Sequence, residues 1–172
     1  LALKNTLVES RDDLIKFVSA NYGDPKLPSK VALRRMSLFQ SQLQDGMKSS
    51  FNMGREYIRQ ELPKTNAARR ISGLTPPGAL NYLSQKAVTV TGIVREKILG
   101  DIKIVLLNSI ANAESLGDTT IKLKSVYTNY IDEAPDVTTN RLQTIIRTNQ
   151  TDALNRGRLV EMRDPDMALL IE

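Results

Sequence analysis

The chain has 172 residues with 24 Lys+Arg, 19 Asp+Glu, a formal net charge of +5 and 41% hydrophobic residues, and it contains no His, Cys or Trp. Without Cys or His there is no disulfide framework, no ordinary zinc site and no Ser–His or Cys–His relay, so only carboxylate, Lys, Tyr, Ser/Thr and Arg chemistry remains. The length suits one domain or two small ones, and the charge is uneven: residues 1–86 carry 14 Lys/Arg against 7 Asp/Glu, residues 87–172 carry 10 against 12. No stretch reaches the run of about 18 apolar residues that a membrane span needs. Lys4, Glu9 and Arg11 interrupt the first residues, unlike a signal peptide. A start at Leu1 and an end at Leu170-Ile171-Glu172 read as a fragment or a processed product, truncated at the C-terminus.

Prolines at 25, 28, 63, 76, 77, 135 and 165 separate long proline-free stretches that read as helices. The first, about 2–21, aligns Leu3, Leu7, Leu14 and Val18 and stops at Asn21-Tyr22-Gly23-Asp24-Pro25. The second is expected to run unbroken over 29–62 from an N-cap at Ser29, with Met36, Phe39, Leu43, Met47, Phe51, Ile58 and Leu62 in one stripe at about 100° per residue. Beside that stripe, Gly46, Ser50 and Gly54 recur every four residues. They either admit a second helix at close range or merely loosen this one, at about 1 kcal/mol per glycine.

Residues 63–78, with three prolines, two glycines and Arg69-Arg70, form the candidate linker between an N-terminal helical arm region (1–62) and a second helical region (79–172). The third helix, about 79–115, aligns Leu83, Ala87, Val90, Val94, Ile98 and Val105. From Ile98 to Ile110 its apolar residues spread around most of the circumference, so it is expected to be the core helix, buried on several sides. Val88-Thr89-Val90-Thr91 also suits a short strand, but the helical period continues across it. Leu116-Gly117-Asp118-Thr119 reads as a stop and a new cap, followed by a helix over 119–134 that Pro135 ends. Thr138 or Thr139 caps the fifth helix, 139–163, which Pro165 closes. The fold expected is all-α: an elongated bundle of about five helices, two of them long, with helical arms.

On a continuous 29–62 helix, Lys30, Arg34, Lys48, Arg55 and Arg59 fall within about 60° of one another. Such a row either tracks a phosphate backbone or an acidic protein surface, or is a solvated face; Arg69 and Arg70 in the linker are further candidates for contact with DNA or an acidic partner. The acids Asp12-Asp13, Asp132-Glu133, Asp164 and Asp166 have no calcium-loop or paired-catalytic spacing, and no Gly-rich phosphate loop is present. No catalytic residue, metal or cofactor is expected.

The most informative stretch is Arg141-Leu142-Gln143-Thr144-Ile145-Ile146-Arg147-Thr148-Asn149-Gln150-Thr151-Asp152-Ala153-Leu154-Asn155-Arg156-Gly157-Arg158. As a helix it places Leu142, Ile145, Asn149 and Ala153 on one face and Arg147, Thr151, Asn155 and Arg158 in a polar row, while Gly157 permits close packing or a bend. A helix docked by its apolar row, with its arginines hydrogen-bonded to neighbours, accounts for this pattern. The stretch also resembles the phage head morphogenesis family, the Mu F-like minor head proteins. Arg141, Ile145, Arg147, Thr148, Ala153, Asn155, Gly157 and Arg158 match, whereas Ile146 and Asn149 stand where the family has Ala and Glu. The approach is similar too: Val90-Thr91-Gly92-Ile93 in a long helix ending near Ser115-Leu116-Gly117, then a shorter helix, then the motif.

The resemblance, over about residues 85–163, implies a non-enzymatic minor structural protein of a tailed-phage head. It would sit in the head interior or at the portal vertex, and in the host cytoplasm during assembly. Implied partners are the portal or major capsid protein and packaged double-stranded DNA, with a role in DNA packaging or delivery; apart from the resemblance, the long helices themselves allow self-association. The family also occurs fused behind portal proteins. The alternative is a helical nucleic-acid-binding or coiled-coil adaptor module unrelated to virions.

Overall fold

The structure, a computed structural model, describes residues 2–61, 76–131 and 141–162. Six helices account for nearly all of them: α1 (Ala2–Ala20), α2 (Leu27–Lys30), α3 (Met36–Glu61), α4 (Pro77–Ala111), α5 (Leu116–Ile131) and α6 (Arg141–Met162). No strand occurs among the described residues, and Val88–Thr91 lies inside α4. The fold is all-α, with long helices of 26 residues in α3 and 35 in α4. No described helix is long and apolar enough to cross a membrane.

The chain forms two compact units, 1–42 with 88–144 and 43–87 with 145–172. They do not follow chain order, as the expected division into 1–62, a linker and 79–172 did. The dividing points fall inside the continuous helices α3 and α4, so each of these helices serves both units. Most of the expected linker, and with it Arg69 and Arg70, lies outside the described residues. So do Leu62, the expected caps Thr138 and Thr139, and Asp132, Glu133, Asp164 and Asp166. Pro77 and Gly78 belong to the first turn of α4, where a proline loses nothing because the N–H it lacks has no helical partner there.

In the first unit, α1 packs on α5. Leu3, Leu7, Leu14 and Val18 on α1, Leu27, Phe39, Ile98, Ile102, Leu106, Leu123 and Tyr127 are buried as its core. α1 ends as its sequence suggests: Asn21 returns its amide to the Phe17 carbonyl, and Gly23 takes a left-handed φ of 96°. Tyr22 then donates to the Glu114 carbonyl at 2.6 Å and lies 2.8 Å from the Thr119 hydroxyl, tying this turn to the start of α5.

The predicted unbroken helix over 29–62 is not formed. Ser29 lies within the short α2, where its hydroxyl donates to the Lys26 carbonyl, and the chain is extended at Val31 (ψ 135°). It re-enters a helix only after Arg35, which takes a φ of 68°. A left-handed arginine costs conformational energy. Two acids one turn apart on α1 offset it: Arg35 Nε donates to Asp13 at 2.9 Å and its Nη1 to Glu9 at 2.8 Å. No glycine or proline marks the break.

The turn between α4 and α5 also falls earlier than predicted. The Glu114 N–H reaches the Ser109 carbonyl, and the N–H of Ala113, left-handed at φ 50°, reaches the Ile110 carbonyl. This is the Schellman closure, with alanine where glycine is usual. Ser115 then caps α5: its Oγ accepts the Asp118 N–H at 3.1 Å and donates to the Asp118 carboxylate. Gly117 is therefore inside the first turn of α5 and is not a helix stop. On α4 the expectation of burial on several sides is half met. Ile98, Ile102 and Leu106 are fully buried, but Ile93, Ile104 and Leu107 are exposed.

Candidate functional site

The second unit is organised on α6, the helix that bears the motif. Its inward row is Asn149, Ala153, Gly157 and Glu161, at steps of four and all buried. Facing it on α3 are Gly46, Ser50 and Gly54, at the same spacing. A Cβ at Gly54 would collide with the Leu154 carbonyl, and one at Gly157 would collide with the Phe51 carbonyl. Each helix thus presents a glycine to the other's backbone. Both glycine Cα–H bonds are directed at carbonyl oxygens, weak contacts that recur between closely crossing helices. Gly46 faces the Gln150 side chain. Gly46 lies by Gln150 and Arg55 by Glu161, so α3 and α6 run parallel here. Small residues at 46, 50 and 54 therefore do admit a second helix, and that helix is the motif helix.

Beyond the glycine crossing lies a buried charge cluster. Glu161, 1% exposed, accepts Arg55 Nε on one carboxylate oxygen and Arg59 Nε on the other, each at 2.7 Å. This corrects the expected cationic row: Arg55 and Arg59 face an internal acid. Lys30 and Arg34 are not on α3 at all, since the helix is broken at 31–35. Lys30 is bound to Asp24 six residues before it, and Arg34 and Lys48 are exposed. Of the earlier acid pair, Asp13 holds Arg35 and Asp12 holds Arg11.

The other flank of α6 meets the start of α4. Asp152 accepts the Tyr82 hydroxyl at 2.5 Å and the Lys86 ammonium at 2.8 Å. The Arg156 guanidinium lies 3.7 Å from the centroid of the Tyr82 ring, a cation–π contact. Lys86, followed by Tyr82, holds the Asp152 carboxyl below its usual range, and Asp152 in turn raises Lys86. Both groups are thereby moved away from neutral pH, so the pair suits anchoring and not proton transfer. An open groove of about 520 Å³ lies alongside, with Phe51 and Ala79 on its apolar side and Asn155 and Arg156 on its polar side. Among the described residues no group of three or more acids is arranged to hold a metal ion.

The motif residues divide by depth. Ala153 and Gly157 are buried, Ile145 is half-buried, Arg147 and Thr148 are exposed, and Asn155 is exposed beside the groove. Arg158 lies 5.4 Å from the Tyr57 ring centroid, and Arg141 opens the helix. Asn149, where the family has an acid, is buried and donates its amide to the Ile145 carbonyl at 2.7 Å. Self-satisfaction of this kind would be denied to a carboxylate, which has no donor when ionised. Glu161 escaped the sequence reading. Its signal was there: an acid four residues after Gly157 on the buried row.

No family model, curated protein or solved structure matches this chain.

Proposed function

We propose that this chain is a minor structural protein of a tailed-phage head, docking on the portal or inner capsid during assembly and doing no chemistry of its own. The observation that carries the reading is the motif helix. Its small residues, Ala153 and Gly157, form a buried contact face, with Gly157 set directly against α3. Its polar residues Arg147, Thr148 and Asn155 stay exposed for a partner. On this reading the buried row builds the scaffold and the exposed row is what a portal or capsid surface would contact.

A contact with packaged DNA has fewer candidate residues than the sequence suggested, because Arg55 and Arg59 are committed to Glu161 and Lys30 to Asp24. Arg34 and Lys48 remain exposed. The decisive experiment is to sediment procapsids and DNA-filled heads from the source and assay both for this chain. Its presence in them supports the reading, and its absence from both overturns it. For the DNA contact, whole-chain affinity for duplex DNA should fall steeply between low and moderate salt. Binding that ignores salt would rule out phosphate contacts.

A further inference from the structure

The outer face of α4 in the first unit is apolar and uncovered. Ile93 is 64% exposed, Ile104 57% and Leu107 56%; single exposed aliphatics are ordinary, but an aligned row of them on one helix face is not. Their spacing is ordered. Ile93, Gly100 and Leu107 lie seven apart, as do Lys97, Ile104 and Ala111, and the two series interleave at steps of four and three. All six positions are exposed. The four–three spacing is that of a coiled-coil seam, with large aliphatics at Ile93, Ile104 and Leu107. The stretch from Val90 to Leu107 is about 27 Å long at 1.5 Å per residue.

We infer that this seam pairs with the same seam of a second copy of the chain, in antiparallel orientation. The charges along it choose both partner and direction. In a parallel pair, equivalent seam positions face each other, so Lys97 meets Lys97 of the second copy and Glu96 flanks Asp101; both are like-charge contacts. In the antiparallel pair, with its two-fold axis between Ile98 and Leu99, Ile93 meets Ile104 of the second copy and Val90 meets Leu107. Glu96 comes beside Lys103 of the second copy, and symmetry makes that ion pair twice. Lys97 then faces Gly100, beyond whose Cα nothing lies within 4 Å. The lysine stem lies across the glycine, and the ammonium reaches water. Glu96 is paired with its exposed neighbour Arg95, at 2.9 Å, and can exchange it. The seam is short, so the association is reversible and concentration-dependent. The inference does not depend on the head-protein reading.

The test is sedimentation equilibrium of the whole chain over a wide concentration range at low salt. A monomer–dimer equilibrium is expected. Ile104→Glu should abolish it while leaving helix content unchanged and the thermal midpoint nearly so, because more than half of Ile104 is already in solvent. Glu96→Lys and Lys103→Glu should each weaken the dimer about tenfold by placing like charges in both symmetric pairs, and the double variant should restore it to within about threefold. A chain that stays monomeric throughout, or a dimer indifferent to Ile104→Glu, overturns the pairing. Failure of the double variant to restore association overturns the antiparallel arrangement.

Discussion

Tyr127 carries its hydroxyl into the interior of the first unit, where neither it nor the Ser10 hydroxyl has a hydrogen-bond partner among the described residues. Burial pushes the phenol up to about 12, with the Arg11 charge offsetting a small part of the shift. The native state therefore holds this proton more tightly than the unfolded chain. The associated stability is complete below pH 10 and is lost as pH rises from there toward 12. Tyr127→Phe should leave stability at neutral pH unchanged or raise it by about 1 kcal/mol, since an unsatisfied buried hydroxyl is removed. It should also shrink the alkaline loss, leaving the part that comes from Lys86. Urea unfolding at neutral pH and near pH 11 reads both effects. Glu161 is the opposite case, a buried charge fully engaged. Glu161→Ala removes the one carboxylate that both guanidinium groups share and should cost about 3–5 kcal/mol in the same assay.

At the scale of elements, the glycines separate into two classes by what surrounds them. Gly54 and Gly157 have a partner backbone where a Cβ would go, whereas Gly92 has open space. Gly54→Ala and Gly157→Ala should each destabilise by about 1–3 kcal/mol, through forced separation of α3 and α6. Gly92→Ala should stabilise by about 0.5–1 kcal/mol through helix propensity alone. Thermal unfolding of the three variants side by side distinguishes them. The four-residue spacing of Gly46, Ser50 and Gly54 was readable without coordinates, as were the end of α1 and the helical character of Val88–Thr91. The break at 31–35 was not. It is held by Glu9 and Asp13, two acids more than 20 residues away that act on an arginine no local rule would place in a left-handed turn. Ala113 misled in the complementary way, closing α4 without a glycine while Gly117 sat in the next helix. Within the candidate site, the buried face of α6 was legible down to Ala153, while close packing at Gly157 was one of two readings. The partners of Glu161 were not, because arginines on an amphipathic flank look the same whether they face water or a distant carboxylate.

For the whole molecule, the absence of histidine sets the response to pH. Asp13, Asp24, Glu114 and Asp152 are all held below their usual range, chiefly by Arg35, Lys30, Lys122 and Lys86 respectively. Their folded-state values are depressed, so their stabilisation is present above the unfolded carboxylate range near 4 and is lost as pH falls through the folded values. Nothing with an imidazole titrates between. Stability measured by denaturant unfolding should be essentially flat from about pH 5.5 to 9 and collapse below about 4. Added salt should shrink the contribution of the exposed pairs. A slope centred near pH 6.5 would contradict this account.

The interleaving of the two units has a consequence in time. Arg55 and Glu161 are 106 residues apart in the chain. At a ribosomal rate of about 5–20 residues per second, the second half of α3 emerges roughly 5–20 s before its partner helix exists. Through that interval its glycine face and both guanidinium groups stand in water, and the second unit has no complete core to close. Its assembly therefore waits on the arrival of α6. A ribosome stalled before residue 145 would hold a chain whose first unit has its segments in hand, while the inner face of α3 is still open to chaperones and proteases.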